Sequence, residues 1–343
     1  MSLKVIGKLP SGKSRDLIQQ SPNYKNGVFQ NQSPTGLKAH DTSYWQMMKE
    51  YLKKHPHTAP PKPLPFVKTD LSILDVQQPV IVWFGHSSYL VKVEGKTFLI
   101  DPVFGGNAAP LPGMVKAFPG SNEYKAEDMP HIDYLIITHD HYDHLDYDTI
   151  KKLKDKIGHV YCALGVSNHL QYWGIDESKI TEMDWWDQHL LSDTMQITAA
   201  PARHFSGRTL KRAQSLWCSY VLQAGVYTFY LGGDSGYDAH FKTIGERFGS
   251  FDLAILEAGQ YNTFWPAIHM MPEETVQAAI DLHAKSLLPV HWAKFKLGMH
   301  PWNEPIKRVL QKAWELNLPV FTPQIGEPLQ IVGTSNRTVW WEM

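Results

Sequence analysis

Residues 134–146 read Y-L-I-I-T-H-D-H-Y-D-H-L-D. The opening half is apolar and β-branched, the pattern of a buried strand. The second half delivers His139, His141, Asp143 and His144 within six residues. Alternate residues of an extended loop point the same way, so His139 and His141 can grip one cation while Asp143 and His144 face a second. Imidazole nitrogen together with carboxylate oxygen suits zinc and tolerates iron or manganese. No cysteine accompanies them, which argues against a closed structural zinc site. Two divalent ions are expected, zinc first.

Each ion needs further ligands, and strand ends are where rigid side chains project into a cleft. Three residues qualify: His204 after I-T-A-A-P-A-R, Asp234 after Y-T-F-Y-L-G-G, and His291 after L-L-P-V. His189 is the substitute for His204. His86, in G-H-S-S, reads as a packing or supporting residue beside the cleft.

From residue 78 the chain runs through short β-rich segments, P-V-I-V-W-F, S-Y-L-V-K-V, T-F-L-I-D and Y-L-I-I-T-H. A helix at about 146–156, a strand with Cys162 and a helix from about Val166 come next. The second half repeats the scheme with M-Q-I-T-A-A-P, L-W-C-S-Y-V-L-Q, V-Y-T-F-Y-L-G-G-D and D-L-A-I-L-E, then a helix from Pro272 to about Ala284. Strand L-L-P-V-H-W, a helix near 304–316 and strand P-V-F-T complete the pattern. Strands then helices, twice over, suit an α/β fold of two packed sheets with outer helices.

Residues 1–40 predict an irregular surface arm. Asp41, Thr42 and Ser43 offer caps for a helix with Tyr44, Trp45, Met48, Tyr51 and Leu52 on one face and Lys49, Glu50, Lys53 and Lys54 on the other. Core packing is the first reading of that apolar stripe, and contact with a lipid surface the alternative. The prolines of H-P-H-T-A-P-P-K-P-L-P-F then predict an extended connector.

Lys plus Arg number 33 and Asp plus Glu 34, which excludes the basic footprint of a general nucleic-acid binder. Both cysteines, Cys162 and Cys218, sit in apolar runs and read as reduced core residues. Neither a signal-peptide core nor a membrane-length apolar run is visible. A cytoplasmic location is expected, with peripheral contact at the inner membrane surface compatible with the helix at 44–54.

The motifs together resemble the metallo-β-lactamase superfamily and, within it, the N-acylphosphatidylethanolamine-hydrolysing phospholipase D family. The resemblance spans about 78–310. It rests on G-H-S-S-Y-L with F-L-I-D-P-V-F, on T-H-D-H-Y-D-H-L-D, on P-A-R-H-F-S-G-R-T-L, on G-G-D-S-G-Y with F-G-S-F-D-L-A, and on H-M-M-P-E-E-T-V with P-V-H-W. It implies a four-layer αββα sandwich, with residues 1–77 packing as arm, helix and connector on a hydrolase domain at 78–343. It further implies that His139, His141 and His204 hold one ion, that Asp143, His144 and His291 hold the other, and that Asp234 bridges them. His269 would lie beside the reacting group without ligating, and Asp101 would support the site from behind.

The chemistry implied is hydrolysis by a hydroxide bridging the ions, with Asp143 orienting the nucleophile and His269 serving the leaving alkoxide. The substrate would be a phospholipid phosphodiester. Where the lipid-hydrolysing members carry a Y-E-P-R-type stretch, this chain reads Y-N-T-F-W-P-A-I-H. The alternative reading is a lactone, other carboxylic ester or soluble phosphodiester at the same site. A third is a metal- or lipid-binding module without turnover. Arg203 and Arg208 are candidates to contact a phosphate, and Trp265, Trp292, Phe295 and Trp302 to line a groove or the core.

Overall fold

A computed structural model describes residues 3–39, 42–53, 55–74, 77–331 and 339–343. Helix α1 (Lys13–Gln20) and a small hairpin, β1 (Tyr24–Lys25) with β2 (Val28–Phe29), come first, followed by helix α2 (Tyr44–Tyr51). The first large sheet is built from β3 (Val80–Trp83), β4 (Tyr89–Val93), β5 (Lys96–Ile100), β6 (Ile132–Ile137), β7 (Ile157–Ala163) and β8 (Ile180–Met183). Between its later strands run α3 (Tyr147–Leu153) and α4 (Ser167–Tyr172). The second sheet comprises β9 (Gln188–Ser192), β10 (Met195–Ala200), β11 (Ser219–Ala224), β12 (Tyr227–Leu231), β13 (Leu253–Glu257) and β14 (Leu287–Val290). Its helices are α5 (His240–Phe248), α6 (Pro272–Asp281) and α7 (Glu304–Glu315). A last strand, β15 (Pro328–Gln330), returns to the first sheet and pairs antiparallel with β3.

Period-two burial makes the layers. On β11, Tyr220 and Leu222 join the large core that both sheets share, while Val221 joins Tyr230, Phe241, Ile244, Val276 and Val309 beneath α5, α6 and α7. On the first sheet, Ile150 and Leu153 of α3 and Leu170 of α4 enter the large core as well. The fold is the four-layer αββα sandwich.

Strand direction explains where chemistry collects. In both sheets an antiparallel meander gives way to parallel strands: β5, β6 and β7 in one, β12, β13 and β14 in the other. Parallel neighbours end on the same edge, so Asp101 after β5 and His139 after β6 arrive together. Asp234 after β12, Glu257 at the end of β13 and His291 after β14 do likewise, and β10, running with β12, brings His204. β3 runs with β5, so the turn carrying His86 and Ser87 lies on that edge too.

The two sheets touch where the cleft opens: the Cys218 amide donates to the Thr138 carbonyl at 3.0 Å, and the Tyr220 hydroxyl donates to Ile137 O at 3.1 Å. Gly233 is required here, because a Cβ would come within 2.8 Å of both Cys218 O and Thr138 Cβ.

Several expectations change. P-V-F-T forms no strand; Val320 makes a lone parallel bridge to Leu287 at the edge of the second sheet, while β15 covers β3 at the edge of the first. The arm is not wholly irregular, since it holds α1 and a hairpin, and it is anchored by Ile18 and Phe29, which are buried. Burial of such a side chain contributes about 1.5–3 kcal/mol. Helix α2 is capped by Ser43, which accepts from the Gln46 amide while Gln46 reaches back to the Ser43 N–H. Asp41 and Lys54 lie outside the described residues. The stripe of α2 is not core: Trp45 is 69%, Met48 47%, Tyr51 57% and Leu52 76% exposed. The helix turns Met47 and Glu50 inward instead, and Glu50 joins His55, Tyr261, His300 and Arg308 around a cavity of about 420 Å³.

Candidate metal centre

Seven donors predicted from sequence converge on this one edge. His139 Nε2 lies 3.0 Å from His141 Nδ1, and His204 Nε2 lies 3.2 Å from the same atom. Three imidazole nitrogens this close would repel through their lone pairs unless a proton or cation sits between them. Asp234 Oδ2 faces the same point, 3.8 Å from His139 Nε2 and 3.7 Å from His204 Nε2. Its other oxygen faces a second group: Oδ1 is 3.1 Å from His144 Nε2 and 3.1 Å from His291 Nδ1. Asp143 joins that group, its Oδ2 lying 3.6 Å from His144 Nε2.

Four of the five rings have a further hydrogen-bonding contact outside the donor set. Asp101 Oδ2 accepts from His144 Nδ1 at 2.7 Å and from Thr138 Oγ1 at 2.6 Å, and that hydroxyl is 3.0 Å from His139 Nδ1. His204 Nδ1 donates to the Ile268 carbonyl at 2.8 Å, and Ser87 Oγ lies 2.9 Å from His291 Nδ1. With Nδ1 engaged, His139, His144 and His204 present Nε2 to the cleft.

The donor set fits divalent cations on its own evidence. His144 Nε2, His291 Nε2 and Asp234 Oδ1 are buried without a hydrogen-bond partner, a costly state that a cation relieves. Burial, with repulsion among neighbouring imidazoles, holds His139 well below the usual histidine range, and does the same for His204 and His291 despite Asp234. Those rings are neutral, the form that ligates. His86, His291 and Asp101 all adopt positive φ, of 54°, 67° and 41°. Such backbone costs of order 1 kcal/mol each and gathers where geometry is functional.

The profile of the beta-lactamase superfamily domain matches residues 96–292, which contain every one of these seven donors. The chain belongs to the metallo-β-lactamase superfamily. An uncharacterised protein of Mycobacterium tuberculosis is 36% identical over 336 residues, 96% of this chain and 90% of its own length. The N-acyl-phosphatidylethanolamine-hydrolyzing phospholipase D 1 of Caenorhabditis elegans is 31% identical over 233 residues, 63% of this chain and 64% of its own length. Igni18, a metallo hydrolase from Ignicoccus hospitalis, superposes with a TM-score of 0.58 at 19% identity, over 74% of this chain and 98% of that one. Membership of this superfamily, with relatives that include metal-dependent hydrolases, makes this a metal-dependent hydrolase and implies divalent ions at the cleft.

In this metallo-β-lactamase-fold chain some predicted residues stand elsewhere. His189 is on β9, its ring 5.6 Å from that of Tyr161, and takes no part in the cluster. Arg208 is buried and fully engaged by the protein: it donates to Val5 O, Ile6 O, Asp140 O and Leu145 O and stacks 3.9 Å over Tyr142. Arg203 likewise binds the arm, through Pro34 O and Thr35 Oγ1, and also Tyr237 O. Trp292, Phe295 and Trp302 are buried core residues, with Trp292 stacked against both Trp83 and Trp340, which also touch each other.

Three residues of the site escaped sequence reasoning or were underweighted. His86 is fully buried and donates Nε2–H to Asp143 Oδ2 at 2.9 Å. Asn31, from the arm, donates to His204 O at 2.8 Å and accepts from its amide at 3.1 Å. Glu257 is 1% exposed and accepts from His269 Nδ1 at 2.7 Å. Burial pushes the Glu257 carboxyl up, and at His269 the opposing effect of burial is outweighed by Glu257 and Asp234, which hold the ring above the usual histidine range. The signal for Glu257 was a charge ending the otherwise apolar strand L-A-I-L-E.

Proposed function

We propose that this hydrolase is a zinc-dependent phosphodiesterase of phospholipase D type, acting on N-acylphosphatidylethanolamine-like lipids. The observation that carries the proposal is Asp234, whose two oxygens divide between two groups of imidazoles, with the His269 ring 5.1 Å from His204 and 5.3 Å from His291. Two ions bound there would activate a water and draw developing charge off the attacked centre. Asp143, held by His86, orients the nucleophile. His269 gives its proton to the departing alkoxide as the phosphorus–oxygen bond breaks, so the products are phosphatidic acid and an N-acylethanolamine.

The exposed Trp45, Met48, Tyr51 and Leu52 support peripheral contact with a lipid surface; no described helix is long and apolar enough to cross a membrane. The stretch at 261–269, which lacks a charged pair for a headgroup, favours the second reading, a lactone, other carboxylic ester or soluble phosphodiester.

The test is mass spectrometry of products after incubating the zinc-loaded protein with N-acylphosphatidylethanolamine in detergent micelles. N-acylethanolamine and phosphatidic acid, abolished by chelation, are expected. A fully metallated sample that leaves this lipid intact but opens lactones or soluble diesters overturns the lipid assignment.

A further inference from the structure

Glu257 closes β13, and its register neighbour on β14 is Val290, one residue before His291. Its Oε1 accepts the amides of Met270 at 3.0 Å and Ser235 at 3.2 Å, so one oxygen ties together the residues that come directly after His269 and Asp234. Its Oε2 takes Nδ1 of His269. The peptide carbonyl of Glu257 accepts from Thr275 Oγ1 at 2.8 Å, which fixes the first turn of α6 against the strand end. Asp234, Glu257, His269 and His291 each bring a donor atom within 4.8 Å of the others. Carboxylate and ring are therefore locked as a pair beside the donors.

Bonding fixes what the ring can do. The two amides fix Oε1 as an acceptor, and the ionised carboxylate offers Oε2 to a proton on His269 Nδ1. Nε2 is then the ring atom left for the cleft. We infer that Glu257 is a positioning residue that holds His269 with Nδ1–H turned inward and Nε2 presented to the substrate's departing oxygen. The inference rests on the hydrolase reading above and deepens it. In the step itself water adds its oxygen to phosphorus and gives up one proton to solvent, the phosphorus–oxygen bond to the leaving group breaks, and the Nε2 proton passes to that oxygen. Solvent returns a proton to His269 afterwards, which closes the balance.

Replacement by glutamine makes the prediction sharp. The amides of Ser235 and Met270 require the carboxamide oxygen, which turns the NH2 towards His269 and forces Nδ1 to accept. The ring then becomes the neutral Nε2–H tautomer, a poor acid.

The experiment compares the full-length wild type with Glu257→Gln and Glu257→Asp. Metal content is measured, together with 15N NMR of the histidine rings and turnover of two phosphodiesters, one with an alkyl leaving group and one being bis(p-nitrophenyl) phosphate. Expected for Glu257→Gln are two ions retained, Nδ1 of His269 stripped of its proton, and kcat on the alkyl diester lowered about 100-fold at unchanged KM, since general acid catalysis is worth roughly 10²–10⁴-fold. The nitrophenyl ester, whose leaving group needs no proton, should lose under about tenfold. Glu257→Asp should restore part of the alkyl rate. Loss of metal, equal falls on both esters, or an unchanged tautomer overturns the inference. If the wild type cleaves neither ester, the phosphodiesterase reading fails, and the tautomer still decides the positioning role.

Discussion

The two donor groups around Asp234 are supported in different ways. Asp143, His144 and His291 each lean on a buried side chain from the first sheet's edge: His86, Asp101 and Ser87. The group of His139, His141 and His204 leans on a hydroxyl, a peptide carbonyl and, through Asn31, the arm. His141 is also the partly exposed member, while His139, His144, His204 and His291 are buried. One group is set into the core; the other is clamped from outside. The ion held by the first should exchange slowly and the ion held by the second more readily.

The largest effect comes from removing what both groups share. Asp234→Asn leaves the His139, His141 and His204 side without a carboxylate and the other side with Asp143 alone, so both ions weaken and turnover falls by more than the ~100-fold typical of losing an outer partner. Metal analysis beside kinetics checks it, and retention of both ions breaks the bridging assignment.

Next comes the contrast itself. Asn31→Ala should loosen one ion by about tenfold and leave the other unchanged, whereas Asp101→Asn should weaken both by roughly 10–100-fold, since its carboxylate reaches His144 directly and His139 through Thr138. Stepwise metal titration followed by calorimetry resolves the two sites; identical profiles for the two variants erase the distinction.

The smallest effect concerns the frame of the core-set group. Lys294 is fully buried and bonds Phe84 O at 3.1 Å and Val103 O at 2.8 Å, clipping together the segments that carry His86 and Asp101. Burial brings its ammonium down to about 7 from an ordinary 10.5. Between those values the unfolded chain binds a proton that the folded one does not, so stability rises with pH from about 7 towards 10. Lys294→Met should flatten that rise in denaturant midpoints measured across the window; an unaltered slope refutes the assignment.

The ligand run was legible because four donors crowd into six residues after an apolar strand, and His204, Asp234 and His291 because each comes after a run of the same kind. The hidden residues share one cause: their meaning depends on a partner distant in the chain. Asn31 and His204 stand 173 residues apart. Glu257 looks like any polar strand terminus until β12 and β14 bring Asp234 and His291 beside it. The stripe on α2 has the same periodicity whether it faces core or solvent, so spacing alone could not orient it. P-V-F-T has strand composition, yet it makes only a single bridge, Val320 to Leu287, at the edge of the second sheet.

β15 also bears on how the molecule comes together. The chain leaves the first sheet at β8, builds the whole second sheet, and only then supplies the strand that covers β3. The early half therefore folds with an open edge and with four cation donors lacking Asp234, and neither half is finished before the other. A metal offered to a nascent chain therefore meets only half a site.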